Sequence, residues 1–121
     1  HLPESLVPYW DFIFEDGSSE PWDSSASAIA VCGILEMCRF LPEAEAAPYL
    51  AAAKRLMKAL TDLCAVTSPV RSNGQLLHGV YGKKTPYNDC LDHGIDECNL
   101  WGDYFYVEAL TRLTKDWNPY W

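Results

Sequence analysis

The chain has 121 residues, 17 acidic against 9 basic, and a net charge of −8. A length of this order suits one domain that removes roughly two thirds of its unfolded surface from water. The negative field repels phosphate backbones and anionic lipid, which excludes nucleic acid and membrane surfaces as partners. No apolar run approaches the roughly 20 residues that a membrane span requires.

Residues 1–22 hold three of the eight prolines and the turn Asp16-Gly-Ser-Ser19, the pattern of an extended connector. Within it Val7-Pro-Tyr-Trp-Asp-Phe-Ile-Phe14 is aromatic and β-branched, and Pro8 confines any short strand there to an edge. A first helix is predicted from about Ser24 to Leu41, capped by Asp23 or Ser24 and stopped by Pro42. Its apolar residues cover nearly every face, and a helix apolar all round belongs in a fully buried setting. Ser25, Ala28 and Gly33 offer small surfaces against which neighbouring helices can approach closely.

A second helix is predicted from about Glu43 to Val66, and it tolerates Pro48 within its first turns only if the start lies near Ala46 or Ala47. Leu50, Leu56, Met57, Leu60, Leu63 and Cys64 form one stripe, while Lys54, Arg55, Lys58 and Asp62 lie off it. A third helix spans about Leu100 to Thr114. The connection from Thr67 to Asn99 is long for a structureless loop, so it is either functional or locally ordered. Gln75-Leu-Leu-His-Gly-Val-Tyr81 is a candidate short strand, with residues 9–14 as its expected partner, and Gly82 to Gly94 reads as surface loop. One buried and one amphipathic helix in succession is the alternation that a two-layered toroid of helices demands, inner helices enclosed by outer ones.

Cys32, Cys38 and Cys64 sit in apolar helical patterns, and the cysteine total of five is odd, as in a reducing compartment. A cytoplasmic protein is expected. Cys90, His93 and Cys98, with Asp89, Asp92 and Asp96 nearby, imitate a metal site, but the cysteines are too far apart in sequence to supply a close pair. Metal binding is not expected. His78, in an apolar segment, reads as a partly buried histidine rather than a catalyst. Trp101 and Asp103 admit two readings: a ring that stacks on a pyranose beside a carboxylate that accepts from its hydroxyls, or simply a helix start with a packed aromatic.

Four blocks carry more than local structure: Val7-Pro-Tyr-Trp-Asp-Phe12, Asp23-Ser-Ser-Ala-Ser-Ala-Ile-Ala30, Gly94-Ile-Asp-Glu-Cys-Asn-Leu-Trp-Gly-Asp-Tyr-Phe-Tyr-Val-Glu-Ala-Leu-Thr-Arg-Leu113 and Lys115-Asp-Trp-Asn-Pro-Tyr-Trp121. In order and spacing they closely resemble the C-terminal region of unsaturated glucuronyl hydrolases, glycoside hydrolase family 88. The resemblance implies an all-α fold, about three helices from the C-terminal part of an (α/α)6 barrel, incomplete on its own. It also implies that residues 1–121 are the C-terminal portion of a single barrel domain, with 67–98 a long loop region. A chain that opens on His1-Leu-Pro, with Met37 and Met57 as its methionines, is expected to be the tail of a longer protein.

The activity implied is removal of the 4,5-unsaturated uronic acid from the non-reducing end of lyase-generated oligosaccharides by hydration of the vinyl ether, without metal or cofactor. The family's two catalytic aspartates lie upstream and map onto no residue here, so this piece alone is expected to be inactive. The Asp23-Ser24-Ser25 block reads either as a plain helix cap or, by the resemblance, as a cleft wall where Ser24 and Ser25 meet a sugar or its carboxylate. Val80-Tyr-Gly-Lys-Lys-Thr-Pro-Tyr87 stands where the family carries a lid over the site of the leaving sugar, which makes Gly82, Lys83, Lys84 and Thr85 candidate contacts. Relatives that act on sulfated fragments carry Ser-x-x-Ser-x-Lys there; here Gly82, Thr85 and Tyr87 stand instead, which puts a sulfated preference in doubt.

The expected partner of the complete enzyme is an unsaturated uronide oligosaccharide. Being an anion, it would rely on local cations such as Arg71, Lys83 and Lys84. The rest of the parent chain, or another copy, is expected to cover the apolar first helix. An unsaturated rhamnogalacturonyl hydrolase fragment is the nearest alternative enzyme, and a non-catalytic helical interaction module is the alternative of another class.

Overall fold

The computed structural model describes residues 2–68, 72–89 and 94–118. Three helices carry the fold: α1, Ser24–Cys38; α2, Glu43–Leu63; and α3, Leu100–Thr114. The described residues are all-α, with only isolated β-bridges between segments.

Helix α1 packs against both α2 and α3. It starts on Asp23, whose carboxylate accepts from the Ser25 N–H at 3.2 Å, and it ends at Cys38, three residues before the expected Leu41. The last turn tightens instead: Arg39 N–H donates to Glu36 O and Phe40 N–H to Met37 O, the i to i+3 pattern that satisfies terminal carbonyls as the chain approaches Pro42. Its inner face, with Ala28, Val31, Cys32 and Leu35, joins Leu56, Met57 and Leu60 of α2 and Tyr106 and Ala109 of α3 in one core. Each large side chain enclosed there stabilises the fold by about 1.5–3 kcal/mol.

The other face of α1 is not enclosed by the described residues. Ile29 and Met37 are about two-fifths exposed, Ala30 is exposed, and Phe40 just beyond the helix is 79% exposed. Gly33 also faces outward, and a Cβ built on it meets nothing within 4 Å. Among the described residues no helix approaches Gly33. The close approach occurs at Gly102, where an added Cβ would lie 3.3 Å from the Ser25 Cβ and 2.7 Å from Asn99 Oδ1.

Helix α2 begins at Glu43, as its predicted bound has it, and carries Pro48 inside it without the later start near Ala46 or Ala47 that placing Pro48 in the first turns required. A proline there forfeits one helical hydrogen bond. The helix tolerates it because Pro48 lies on the exposed side, while Ala46, Ala53, Leu56, Met57 and Leu60 hold the buried stripe. Helix α2 ends at Leu63, short of Val66. Residues 64–66 instead meet the 75–77 segment, with Val66 N–H donating to Gln75 O at 2.9 Å and Leu77 N–H to Cys64 O at 2.8 Å. The predicted pairing of residues 75–81 with 9–14 does not form: Leu76 bridges to Ala65, Gly79 to Glu97, and Tyr9 to Trp22.

The long connection is locally ordered by these bridges, which bring its two ends back onto the start of α1. Ser24 N–H donates to His78 O at 2.9 Å, and the Ser24 hydroxyl donates to Leu77 O at 2.7 Å. His78 and Asp96 both adopt left-handed backbone, φ 65° and 58°, and their side chains are hydrogen-bonded to each other. That is a clip between two loop segments.

Cys32 and Cys64 are free and buried, and burial pushes both thiols up to about 12, from an ordinary 9.0. A folded-state value above the unfolded one means that the stability contribution is complete below about pH 9 and is lost as pH rises toward 12. Alkaline titration followed by circular dichroism should therefore show progressive loss of stability across that window. Replacing both cysteines with alanine should flatten this slope.

Candidate functional site

The connector and the start of α1 build one wall of a cleft. Residues 8–10 run antiparallel to 21–23, with Trp10 N–H donating to Pro21 O at 3.0 Å and Asp23 N–H to Pro8 O at 2.8 Å. Side chains alternate across such a pair. Tyr9 and Trp22 thus go to one groove, with His78 and Asp96, while Trp10 and Asp23 go to the next. The second groove, of about 290 Å³, is completed by Val80, Tyr81, Gly82, Lys83, Thr85 and Asn88.

Asp23 organises this wall. Its Oδ1 accepts from the Ser25 N–H, from the Ser25 hydroxyl at 2.6 Å and from the Val80 N–H at 3.3 Å. The Ser25 hydroxyl in turn accepts from Trp101 Nε1 at 3.1 Å. The Trp101 ring meets Tyr81 edge-on, with centroids 6.1 Å apart. The Tyr81 hydroxyl donates to Glu97 Oε2 at 2.9 Å, and that bond, with the charge behind it, raises the phenol above its ordinary value. One continuous set of contacts therefore fixes α1, the start of α3 and the loop that carries Tyr81. The start of α3 is itself capped by Asn99, whose Oδ1 accepts from the Gly102 N–H at 2.7 Å.

Lys83 approaches Glu20 at 3.5 Å, and the same carboxylate oxygen accepts from Trp10 Nε1 at 2.7 Å. Thr85 to Asn88 form a tight turn, closed by Thr85 N–H to Asn88 O at 3.0 Å, and Tyr87 at its tip is fully exposed. The Thr85 hydroxyl accepts from the Tyr87 N–H at 3.1 Å.

The candidate residues are thus divided. Gly82, Lys83 and Thr85 lie together on the cleft, with Lys84 on the same loop. Ser24 and Ser25 are buried behind the wall and bonded to protein groups, so they shape the cleft rather than line it. Trp101 supports Tyr81 from the side. Asp103 is turned away: its Oδ1 accepts from the backbone N–H groups of Gln75 and Leu76 at 2.9 and 2.8 Å, and it borders a separate apolar groove along α3. Arg71, Cys90, Asp92 and His93 lie outside the described residues. Among the described residues no three metal-ligating side chains converge, and no helix is long and apolar enough to cross a membrane. Glu20 and Tyr81 were not singled out by sequence reasoning, and the only sequence signal for Trp10 was its place in the Val7–Phe12 block.

No protein-family model matches the chain. Over 122 aligned residues, covering 99% of the chain, it is 47% identical to the unsaturated chondroitin disaccharide hydrolase of Streptococcus pneumoniae. It is 37% identical over the same share to the unsaturated glucuronyl hydrolase of a Bacillus species, strain GL1. The solved unsaturated glucuronyl hydrolase of Streptococcus agalactiae superposes on 99% of the chain with a TM-score of 0.87 at 44% identity. The chain belongs with the unsaturated glucuronyl hydrolases. It spans about 29% of the length of the S. pneumoniae relative and 31% of the S. agalactiae structure. One S. agalactiae structure holds dGlcA-GalNAc6S, and the chain matches it with a TM-score of 0.86. The three helices accordingly reproduce part of the helical fold of that family, as an α/α barrel segment would.

Proposed function

We propose that the protein carrying this chain is a glycoside hydrolase of the unsaturated glucuronyl hydrolase type. It removes the 4,5-unsaturated uronic acid that lyases leave at the non-reducing end of an oligosaccharide. The observation that carries this reading is the similarity over 99% of the chain to hydrolases of that type. The cleft at the start of α1 adds a place for a sugar, with aromatic rings of Trp10 and Tyr81 for its apolar faces and the polar groups of Asn88 and Thr85 for its hydroxyls.

In this reading an aspartate outside the chain protonates C4 and directs water to C5 of the vinyl ether, and the resulting hemiketal opens to release the second sugar. The present residues act on that second sugar. Tyr81, Gly82, Lys83 and Thr85 border its site; Asp23, Ser25 and Trp101 hold the border in place. The exposed face of α1, with Ile29 and Met37, is covered by the rest of the protein, and the five cysteines suit a cytoplasmic setting.

Hydrolysis is read as loss of the ultraviolet absorbance of the conjugated double bond when the full-length protein meets an unsaturated disaccharide. Steady loss supports the reading, while the 121-residue chain alone should give none. Absorbance unchanged by the full-length protein overturns it.

A further inference from the structure

The groove that takes Tyr9 and Trp22 lies across the 8–10/21–23 pair from the cleft, and the hydrolytic reading gives it no task. Its volume of about 340 Å³ falls within the range of small-molecule sites, about 300–1,000 Å³. Tyr9 and Trp22 stand opposite each other in the antiparallel pair, so both rings project from one side of it. Each ring is braced edge-on by a neighbour, Tyr9 by Phe14 with centroids 6.5 Å apart and Trp22 by His78 at 5.9 Å. Two fixed carboxylates complete the lining. Glu20 Oε2 is held by Trp10 Nε1 at 2.7 Å and Lys83 at 3.5 Å, and Asp96 Oδ1 is held by the His78 ring. A carboxylate has two acceptor oxygens, so each keeps a second one for a ligand. His78 and Asp96 both hold left-handed backbone, a conformation that costs energy in any residue but glycine and is concentrated at binding sites. At His78 it turns the carbonyl to the Ser24 N–H, 2.9 Å away, and leaves the imidazole on the groove. Among the described lining residues none is Lys or Arg.

We propose that this groove is a further carbohydrate-binding site, separate from the cleft, which takes a neutral, gluco-configured pyranose against Tyr9 and Trp22 with its hydroxyls donating to Glu20 and Asp96. The lining selects that class. A ring whose substituents are all equatorial presents flat C–H faces, which pack on aromatic side chains. Ionised carboxylates only accept hydrogen bonds, so they suit hydroxyl donors. An anionic sugar finds no lining cation and meets the exposed Asp96 carboxylate, which disfavours it. A metal ion lacks its ligands, since no three metal-ligating side chains converge among the described residues.

Maltotriose and cellotriose are the probes, being uncharged and without the double bond that the proposed hydrolysis requires. Titrated calorimetrically into the full-length protein, at least one should bind saturably in the millimolar range. Trp22→Ala should weaken that binding roughly tenfold, the effect of one aromatic contact. The double variant Glu20→Gln with Asp96→Asn keeps the shape of both side chains, and asparagine tolerates left-handed backbone. It should also weaken binding roughly tenfold, because two charged acceptors become neutral ones. Tyr81→Phe, in the neighbouring cleft, should leave the affinity unchanged. Absence of saturable binding by either trisaccharide overturns the inference, and so does binding that survives in both groove variants. Competitive inhibition of disaccharide hydrolysis by the bound trisaccharide would place it in the cleft and overturn the inference as well. The binding is measured without catalysis, so a protein that hydrolyses no unsaturated disaccharide loses the hydrolase reading and leaves this test intact.

Discussion

Replacing Arg112 with alanine should lower the stability of the folded protein by about 3–5 kcal/mol, the cost of leaving a buried charge without its partner. Arg112 Nε donates to Glu108 Oε1 at 2.8 Å on the same helix, and Nη1 donates to Glu36 Oε2 of α1 at 2.7 Å. Glu108 is buried, with its side chain only 3% exposed, whereas Glu36 is open to solvent and is shared with Arg39. The large term is therefore the stranded Glu108 carboxylate, and the Glu36 pair adds little beyond orientation. The guanidinium also lies over the Trp117 ring, 5.2 Å from its centroid. Burial pulls Arg112 toward deprotonation, but its hydrogen bonds to Glu36 and Glu108 outweigh this and raise it further.

Urea unfolding measures the loss, and Glu108→Gln in the Arg112→Ala background should restore much of it. The Arg112 bond holds the Glu36 carboxyl below its ordinary 4.5, with Arg39 helping. A depressed carboxylate contributes stability above its unfolded value and loses it as pH falls through the folded one. The small part of the gap between wild type and Arg112→Ala that comes from the Glu36 pair should therefore disappear in acid. A variant as stable as wild type at neutral pH would show that α1 and α3 do not depend on this network.

Asp23→Ala should be the most damaging single change at the cleft. Removing the carboxylate strands the Ser25 and Val80 N–H groups and releases the Ser25 hydroxyl that holds Trp101. Hydrogen bonds to a charged acceptor contribute about 1.5–3 kcal/mol, and loss of an N-cap alone costs about 0.5–2 kcal/mol. Stability should fall by an amount in that range. In the proposed full-length hydrolase, kcat/KM on a disaccharide should fall through KM, because Trp101 and Tyr81 lose their register. Asp23→Asn keeps an acceptor oxygen and should recover most of the stability. Equal KM in wild type and Asp23→Ala would show that the α1 wall does not position the sugar.

The helices were legible because their ends are written in single residues. Asp23 and Pro42 bracket α1, and α3 runs from Leu100 to Thr114 as the apolar spacing indicates. The start of α2 at Glu43 was legible, but an interior Pro48 was not: it reads as a helix-start residue, and its exposed position explains why the helix tolerates it. Nor were the partners of the 75–81 segment, since an isolated bridge such as Gly79 to Glu97 leaves no alternating pattern along the chain. At the cleft, Gly82, Lys83 and Thr85 could be grouped because they are neighbours in sequence. Glu20 and Trp10 could not, as Glu20 meets Lys83, and Trp10 meets Glu20, across the antiparallel pairing of residues 8–10 with 21–23. Asp103 and Trp101 show the converse: two residues apart on a helix, they part company, Trp101 packing against Tyr81 and Ser25 while Asp103 borders the groove along α3.

The placement of the second sugar is tested most directly by a crystal structure of the full-length protein with catalysis blocked and an unsaturated disaccharide bound at saturation. The second sugar should lie between Trp10, Tyr81 and Lys83, within hydrogen-bond reach of Thr85 or Asn88. A bound disaccharide whose second sugar lies away from these residues, with the cleft at the start of α1 empty, would contradict the assignment.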